Sequence, residues 1–320
     1  MIKAGIIGGA GYTAGELLRI LLNHPEVEIA FVHSSSNAGA PVTDIHEGLI
    51  GETDLCFADS YDLAGLDVLF LCQGHGFSRK FWEENERPAA LKVIDLAQDY
   101  RDCSDGYVYG LPEVSREEIR TATLLANPGC FATAIQLALA PLAAAGKLEG
   151  EAHVTGITGS TGAGVKPGST THFSWRNNNI SVYKAFSHQH LKEISMTLGR
   201  LAGGAAPDIS FIPVRGDFAR GIFVMADITT PLSAEEATLL YEDFYRDAVF
   251  THVSSRPVDL KQVVNTNKCV ISLEKHGDKL LILCAIDNLL KGASGQAVHN
   301  MNLMFGLPEH TGLRLTPSAF

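Results

Sequence analysis

No two of the six cysteines (Cys56, Cys72, Cys103, Cys130, Cys269, Cys284) form a CxxC or a similarly close pair. That spacing argues against a disulfide frame or a zinc site and for free thiols in a reducing compartment. No apolar run approaches the roughly 20 residues that span a bilayer. Basic residues are scarce, 25 Lys and Arg against 36 Asp and Glu, for a net charge of −11. Nucleic acid and anionic membrane are therefore poor candidates for the main partner, although a local basic pocket for phosphate is still allowed. Internal repeats and low-complexity segments are absent. No signal-peptide pattern precedes the first strand pattern at Lys3 to Ile7, so a cytoplasmic protein is expected. What remains is a glycine-rich globular composition typical of a protein that handles small molecules. At 320 residues the chain is long for one domain, and two are expected.

The most informative stretch is Asn127, Pro128, Gly129, Cys130, followed by the apolar run Phe131 to Leu142. Pro128 and Gly129 break a strand pattern (Thr123 to Ala126), and the run that follows reads as a buried helix ending near Gly146. Cys130 then sits at a helix mouth, where unpaired N–H groups and the positive end of the dipole stabilise a thiolate and can hold an oxyanion. Taken alone, such a cysteine is most often a small core residue. Its surroundings point instead to a nucleophile.

The first 130 residues alternate strands (Ala4 to Ile7, Val27 to His33, Val68 to Cys72, Lys92 to Leu96, Thr123 to Ala126) with helical stretches, the signature of a doubly wound parallel sheet in an α/β domain. Between the first two strands, Gly8, Gly9, Ala10, Gly11, Tyr12, Thr13, Ala14 and Gly15 open a helix. A glycine turn at that position suits the pyrophosphate of a dinucleotide, with Gly8, Gly11, Tyr12 and Thr13 as the contacts. After the second strand comes Ser34, Ser35, Ser36 and Asn37 rather than an Asp or Glu. Hydroxyls from Ser34 and Ser36, with no carboxylate to repel a 2′-phosphate, favour NADP over NAD.

Beyond residue 150 the strands Val154 to Thr158, Ile209 to Val214, Gly221 to Ile228, Cys269 to Glu274 and Leu280 to Ile286 suggest an α+β domain with a mainly antiparallel sheet, the last two forming a hairpin. A final amphipathic helix, Ala293 to Phe305, is expected to pack back on the first domain. In Ser187 to Ile194, His188 and His190 are candidates for proton transfer, and Glu193, one turn after His190, can orient that ring. Glu193 also fits an ordinary capping box, and a metal site on His188, His190 and His172 is disfavoured because thiol and carboxylate ligands do not cluster nearby. Ser160 and Gly162, in a glycine-rich loop after a strand, and Asn288, where a strand enters a helix, are further cofactor candidates. Arg220, Arg215 and Lys184 suit a substrate carboxylate or phosphate.

Taken together, GGAGYTAGEL (8–17), VIDLAQDYR (93–101), YGLPE (109–113), NPGCFATA (127–134), HQHLKEI (188–194) and DNLLKGASGQAVHNMNLMFG (287–306) resemble the amino-acid semialdehyde dehydrogenases, from Gly8 to nearly the end of the chain. The resemblance implies a Rossmann-type NADP-binding domain over 1–129 plus about 299–320, and a catalytic and oligomerisation domain over 130–298 in a homodimer or homotetramer. By it Cys130 is the catalytic thiol, the His188/His190 segment supplies the histidine with His190 preferred, and Asn127 and His188 lie on the substrate side. The implied reaction is NADPH-dependent reduction of an N-acylated γ-glutamyl phosphate in arginine biosynthesis, with no metal. Aspartyl phosphate, another acyl group such as succinyl, and a non-catalytic NADP sensor are the alternatives. The chain departs from many relatives in lacking a basic residue near Ser34 to Ser36.

Overall fold

Alternation of short apolar strands and helices through residue 128 builds an all-parallel seven-stranded sheet. Its elements are β1 (Ile2–Ile7), α1 (Tyr12–Leu21), β2 (Val27–His33), β3 (Phe57–Ala58), β4 (Val68–Leu71), α2 (Phe77–Glu84), β5 (Lys92–Asp95), β6 (Val108–Tyr109), α3 (Pro112–Thr121) and β7 (Leu124–Ala126). The strand order is β3-β2-β1-β4-β5-β7-β6. The order reverses between β1 and β4, so a crevice opens at their carboxyl ends, where doubly wound sheets bind ligands. All four residues of β4 are buried, as parallel strands covered on both faces require. The computed structural model describes residues 1–205 and 207–318. It divides into two compact units, Met1–Pro128 with Ala293–Arg314, and Gly129–Gly292 with the chain from Leu315 on.

The second unit begins with α4 (Cys130–Ala144), β8 (Glu151–Thr158), α5 (Phe173–Arg176), β9 (Ser181–Val182), α6 (Leu191–Leu201) and β10 (Asp208–Arg215). It continues with β11 (Ile222–Thr229), α7 (Ala234–Phe244), β12 (Thr251–Val253), β13 (Cys269–His276) and β14 (Lys279–Ile286). The sheet order is β12-β13-β14-β11-β8-β10-β9. The β8/β10 and β12/β13 pairs are parallel and the other four antiparallel, so the sheet is mixed but mainly antiparallel.

Residues Phe131 to Ala143 of α4 are all buried, which explains a sequence apolar on every side of the helix. This helix packs against β11, β13, β14, α6 and α7 and forms the centre of the unit. Pro141 lies inside α4, and without an N–H it leaves the Leu137 carbonyl without its helical donor. The Tyr245 hydroxyl donates to the Leu137 carbonyl and so fills the gap, while the Tyr241 hydroxyl, one turn before it, donates to the neighbouring Ala138 carbonyl.

The last helix, α8 (Ser294–Met304), belongs to the first unit, packs on α1 and α3, and is buried along its whole length. Sequence analysis placed the return to the first domain near residue 299 and read this helix as amphipathic. Its polar residues form a buried seam instead of a wet face. Ser294 donates to the Thr13 carbonyl, Gln296 and Asn300 donate to the Gly110 carbonyl, and Asn302 donates to the carbonyls of Glu309 and Thr311.

Candidate active site

Cys130 is the first residue of α4 and is partly exposed. Gly129 is the N-cap, with φ −72° and ψ 151°, and no side chain caps the helix. Thr133 provides the first N–H that bonds within the helix, to the Gly129 carbonyl at 2.8 Å. The first turn therefore presents its N–H groups at the thiol and contributes no acidic side chain of its own. Gly292 closes against this residue, since a Cβ there would stand 2.8 Å from the Cys130 Cβ.

Glu193, the third residue of α6, is 5% exposed and makes no capping box with its own helix. One carboxylate oxygen accepts the Gly129 N–H at 3.1 Å, and the other lies 3.9 Å from Nε2 of His190, the residue that begins α6. The Glu193 carbonyl also accepts from Gln136 on α4, so the two helices are fastened beside the thiol. A single buried carboxylate thus links an imidazole to the neighbour of Cys130. This arrangement sets an imidazole and a carboxylate beside a candidate nucleophile.

His188 occupies a different environment. Its Nδ1 accepts the His190 N–H at 3.3 Å, and its ring meets Phe131, Phe211, Tyr183 and His190 edge to face. Burial, together with the charges of Lys184 and Arg215, pushes its imidazole down to about 4, so it is neutral near pH 7 with the hydrogen on Nε2. The two histidines are thereby told apart, His190 facing a carboxylate and His188 held neutral in an aromatic box. The Tyr183 phenol is pushed up to about 12, first by burial and next by the Cys130 charge. The Arg215 guanidinium lies 4.4 Å over the Tyr183 ring. Lys184 donates to Gln189 at 3.1 Å, and both Lys184 (φ 46°) and Phe186 (φ 57°) hold left-handed backbone, the kind of strain that clusters at functional sites.

Three residues expected to touch ligands bond within the frame. Arg220 forks onto both oxygens of Asp287, which is fully buried and also accepts the N–H groups of Asn265, Leu289 and Leu290. Asn288 accepts the Gly221 N–H with its oxygen and donates to Thr161, so it braces the 3₁₀ turn Ser160–Ala163 from behind. Ser160 and Gly162 ride on that turn in the second unit. In the first unit Asn127 donates to the Ala293 carbonyl and accepts from Asn300, and so pins α8.

The glycine turn of the first unit fits a dinucleotide. Gly8 holds φ 86° and a Cβ there would meet Gln73 and the Cys72 carbonyl carbon below 3 Å, so the chain turns tightly against the loop after β4. The N–H groups of Gly8 and Gly9 both go to the His33 carbonyl. Helix α1 then starts at Tyr12 behind Gly11, with no side-chain cap and no acidic residue in its first turn, which leaves a positive N-terminus for phosphate. At the end of β2, Asn37 donates to both Ser34 Oγ and Ser36 Oγ, gathering the two hydroxyls. Sequence reasoning missed the facing wall, Gln73 to Gly76 after β4. There Asp99 accepts the N–H groups of Gly76 and Ser78 and fixes the start of α2, and the glycines directly after a strand were the available signal. Among the described residues no group of three or more His, Cys, Asp or Glu is placed to hold a metal ion, and no helix is long and apolar enough to cross a membrane.

Residues 3–122 match the family described as "Semialdehyde dehydrogenase, NAD binding domain", and residues 130–288 match "Semialdehyde dehydrogenase, dimerisation domain". N-acetyl-gamma-glutamyl-phosphate reductases of Bacteroides thetaiotaomicron and Bacteroides fragilis are 62% and 61% identical over 322 residues, covering all of this chain and all of each relative. Aspartate semialdehyde dehydrogenase II of Vibrio cholerae, solved with ASA, superposes with a TM-score of 0.73 at 18% identity, over 96% of this chain and 98% of that one. The Candida albicans aspartate semialdehyde dehydrogenase solved with NADP gives 0.72 at 15%, over 95% and 99%. These structures share the fold, and the two Bacteroides reductases share the sequence from end to end. The chain belongs to the semialdehyde dehydrogenase family of oxidoreductases, with a nicotinamide-dinucleotide-binding first unit.

Proposed function

We propose that the chain reduces N-acetyl-gamma-glutamyl phosphate to the corresponding semialdehyde and phosphate with NADPH, as a step of arginine biosynthesis. The observation that carries this reading is Glu193, bonded to Gly129 beside Cys130 and facing His190. Full-length identity of 62% to a reductase of that name supports the choice of substrate.

The Cys130 thiolate attacks the acyl carbon, the carbon–oxygen bond to phosphate breaks, and an acyl thioester remains on the sulfur. The N–H groups at the start of α4 hold the oxygen while it carries charge. Reduced nicotinamide, when bound, supplies the hydride that takes the thioester to the aldehyde level. His190, with Glu193 facing its ring, gives a proton to that oxygen and recovers it as the carbon–sulfur bond breaks and the semialdehyde departs. Arg215, with its guanidinium over Tyr183 beside the two histidines, recognises an anionic group of the substrate, assisted by Lys184. Arg220 and Asn288 hold the surrounding frame. Ser34 and Ser36, gathered by Asn37 where an NAD site would carry a carboxylate, favour NADP.

The protein works as a homo-oligomer. The face of the second sheet turned away from α4 carries the half-buried Ile157 and Met225 beside Phe223 and Leu283, which pack against Val258 and Val263, and this unit matches a family described as a dimerisation domain. A second copy is the occupant that fits. Free thiols at all six cysteines suit the cytoplasm.

The test is the reverse assay with N-acetylglutamate semialdehyde, phosphate and NADP⁺, following NADPH absorbance. Phosphate-dependent turnover that vanishes in Cys130→Ala is expected. A clear preference for aspartate semialdehyde overturns the reading, as does turnover that survives loss of the thiol.

A further inference from the structure

The two short 3₁₀ turns between β2 and β3, Val42–Asp44 and Glu47–Leu49, take no part in the function proposed above, yet a side chain between them reaches the glycine turn. His46 Nε2 stands 2.7 Å from the Gly9 carbonyl oxygen. A carbonyl only accepts, so that nitrogen carries the hydrogen. The ring also lies on the first turns of α1, where a Cβ added at Gly15 would come within 2.6 Å of His46 Nδ1 and 2.9 Å of Cε1. Gly15 accommodates an imidazole, a different reason from the turn geometry that calls for glycine at Gly8. The main chain fixes His46 in turn, its N–H bonding to the Val42 carbonyl and its carbonyl accepting from Leu49, while Phe57 of β3 packs 6.2 Å from the ring.

The consequence falls on Gly9. Its N–H is tied to His33 and its carbonyl to His46, so the peptide units before and after it are fixed from opposite sides. A turn held in this way presents the N–H groups that follow it in one orientation before any ligand arrives, and a ligand then has less disorder to remove. We propose that His46 is a positioning residue for the dinucleotide: it acts through the Gly9 carbonyl and the Gly15 face to hold the glycine turn in its pyrophosphate-binding shape. This rests on the reading of that turn as the cofactor site.

The experiment measures NADPH dissociation constants by fluorescence on the full chain for wild type, His46→Ala, His46→Gln, Gly15→Ala and the His46→Ala/Gly15→Ala double variant, with kcat at saturating NADPH beside them. His46→Ala is expected to weaken NADPH about five- to tenfold, the size of one lost hydrogen bond, with kcat nearly unchanged. His46→Gln, which can still donate to Gly9, recovers most of the loss. Gly15→Ala weakens binding to a similar extent in wild type but adds nothing once the ring is gone, so the two effects fail to add. Unchanged NADPH affinity in His46→Ala, or additive effects in the double variant, overturns the inference alone. A wild type that binds neither NADPH nor NADH overturns the dinucleotide reading and this inference with it.

Discussion

Glu193 performs two separable tasks, bonding the Gly129 N–H with one oxygen and setting a charge opposite His190 with the other. Glu193→Gln retains an acceptor for Gly129 and removes only the charge. We expect a melting temperature close to that of the wild type, a kcat lower by about tenfold to a hundredfold, and a pH–rate profile that differs from that of the wild type. Glu193→Ala removes both interactions and lowers stability as well. Unchanged kcat and profile in Glu193→Gln would leave the carboxylate with a purely structural task. Cys130, His190 and Glu193 were legible in the sequence because a thiol at a helix start and a His one turn from a Glu are local patterns. Asn127, Arg220 and Asn288 read from sequence as ligand contacts, and the structure adds that each is tied within the frame. Sequence shows that such a residue has donors and acceptors to offer, whereas which groups take them is decided by chain segments 67 to 173 residues away.

At the scale of the element, α4 shows how a helix tolerates proline. Tyr245→Phe leaves the buried Leu137 carbonyl without a donor and is expected to cost about 1–3 kcal/mol in urea unfolding. Pro141→Ala restores an N–H to the same carbonyl, so combining it with Tyr245→Phe should recover much of the loss. A double variant as unstable as the single one would mean that the tyrosine contributes by packing alone. The long strands were readable from their apolar runs. Four short ones, β3, β6, β9 and β12, were not, because two or three residues at a sheet edge carry no periodicity. Helix α8 misled for another reason: its regularly spaced polar residues look like a wet face until their buried partners are known.

For the whole molecule, the half-buried apolar face of the second sheet makes the proposed oligomer testable. Met225 pairs across the sheet with Thr155 and Leu283, at the middle of that face. Met225→Lys sets a charge there and is expected to lower the mass measured by light scattering to that of a smaller assembly or a monomer while the chain stays folded. An unchanged mass would put the interface elsewhere. The division of the chain has a consequence of its own for synthesis. Helix α8 completes the first unit but is made almost last, after the whole of Gly129–Gly292. At about 5–20 residues per second, α3 waits roughly ten to thirty-five seconds, and α1 roughly fifteen to sixty, for the helix that covers them. Throughout that interval the nascent first unit shows apolar surface to its surroundings, so it is the unit made first, rather than the later one, that depends on chaperones during translation.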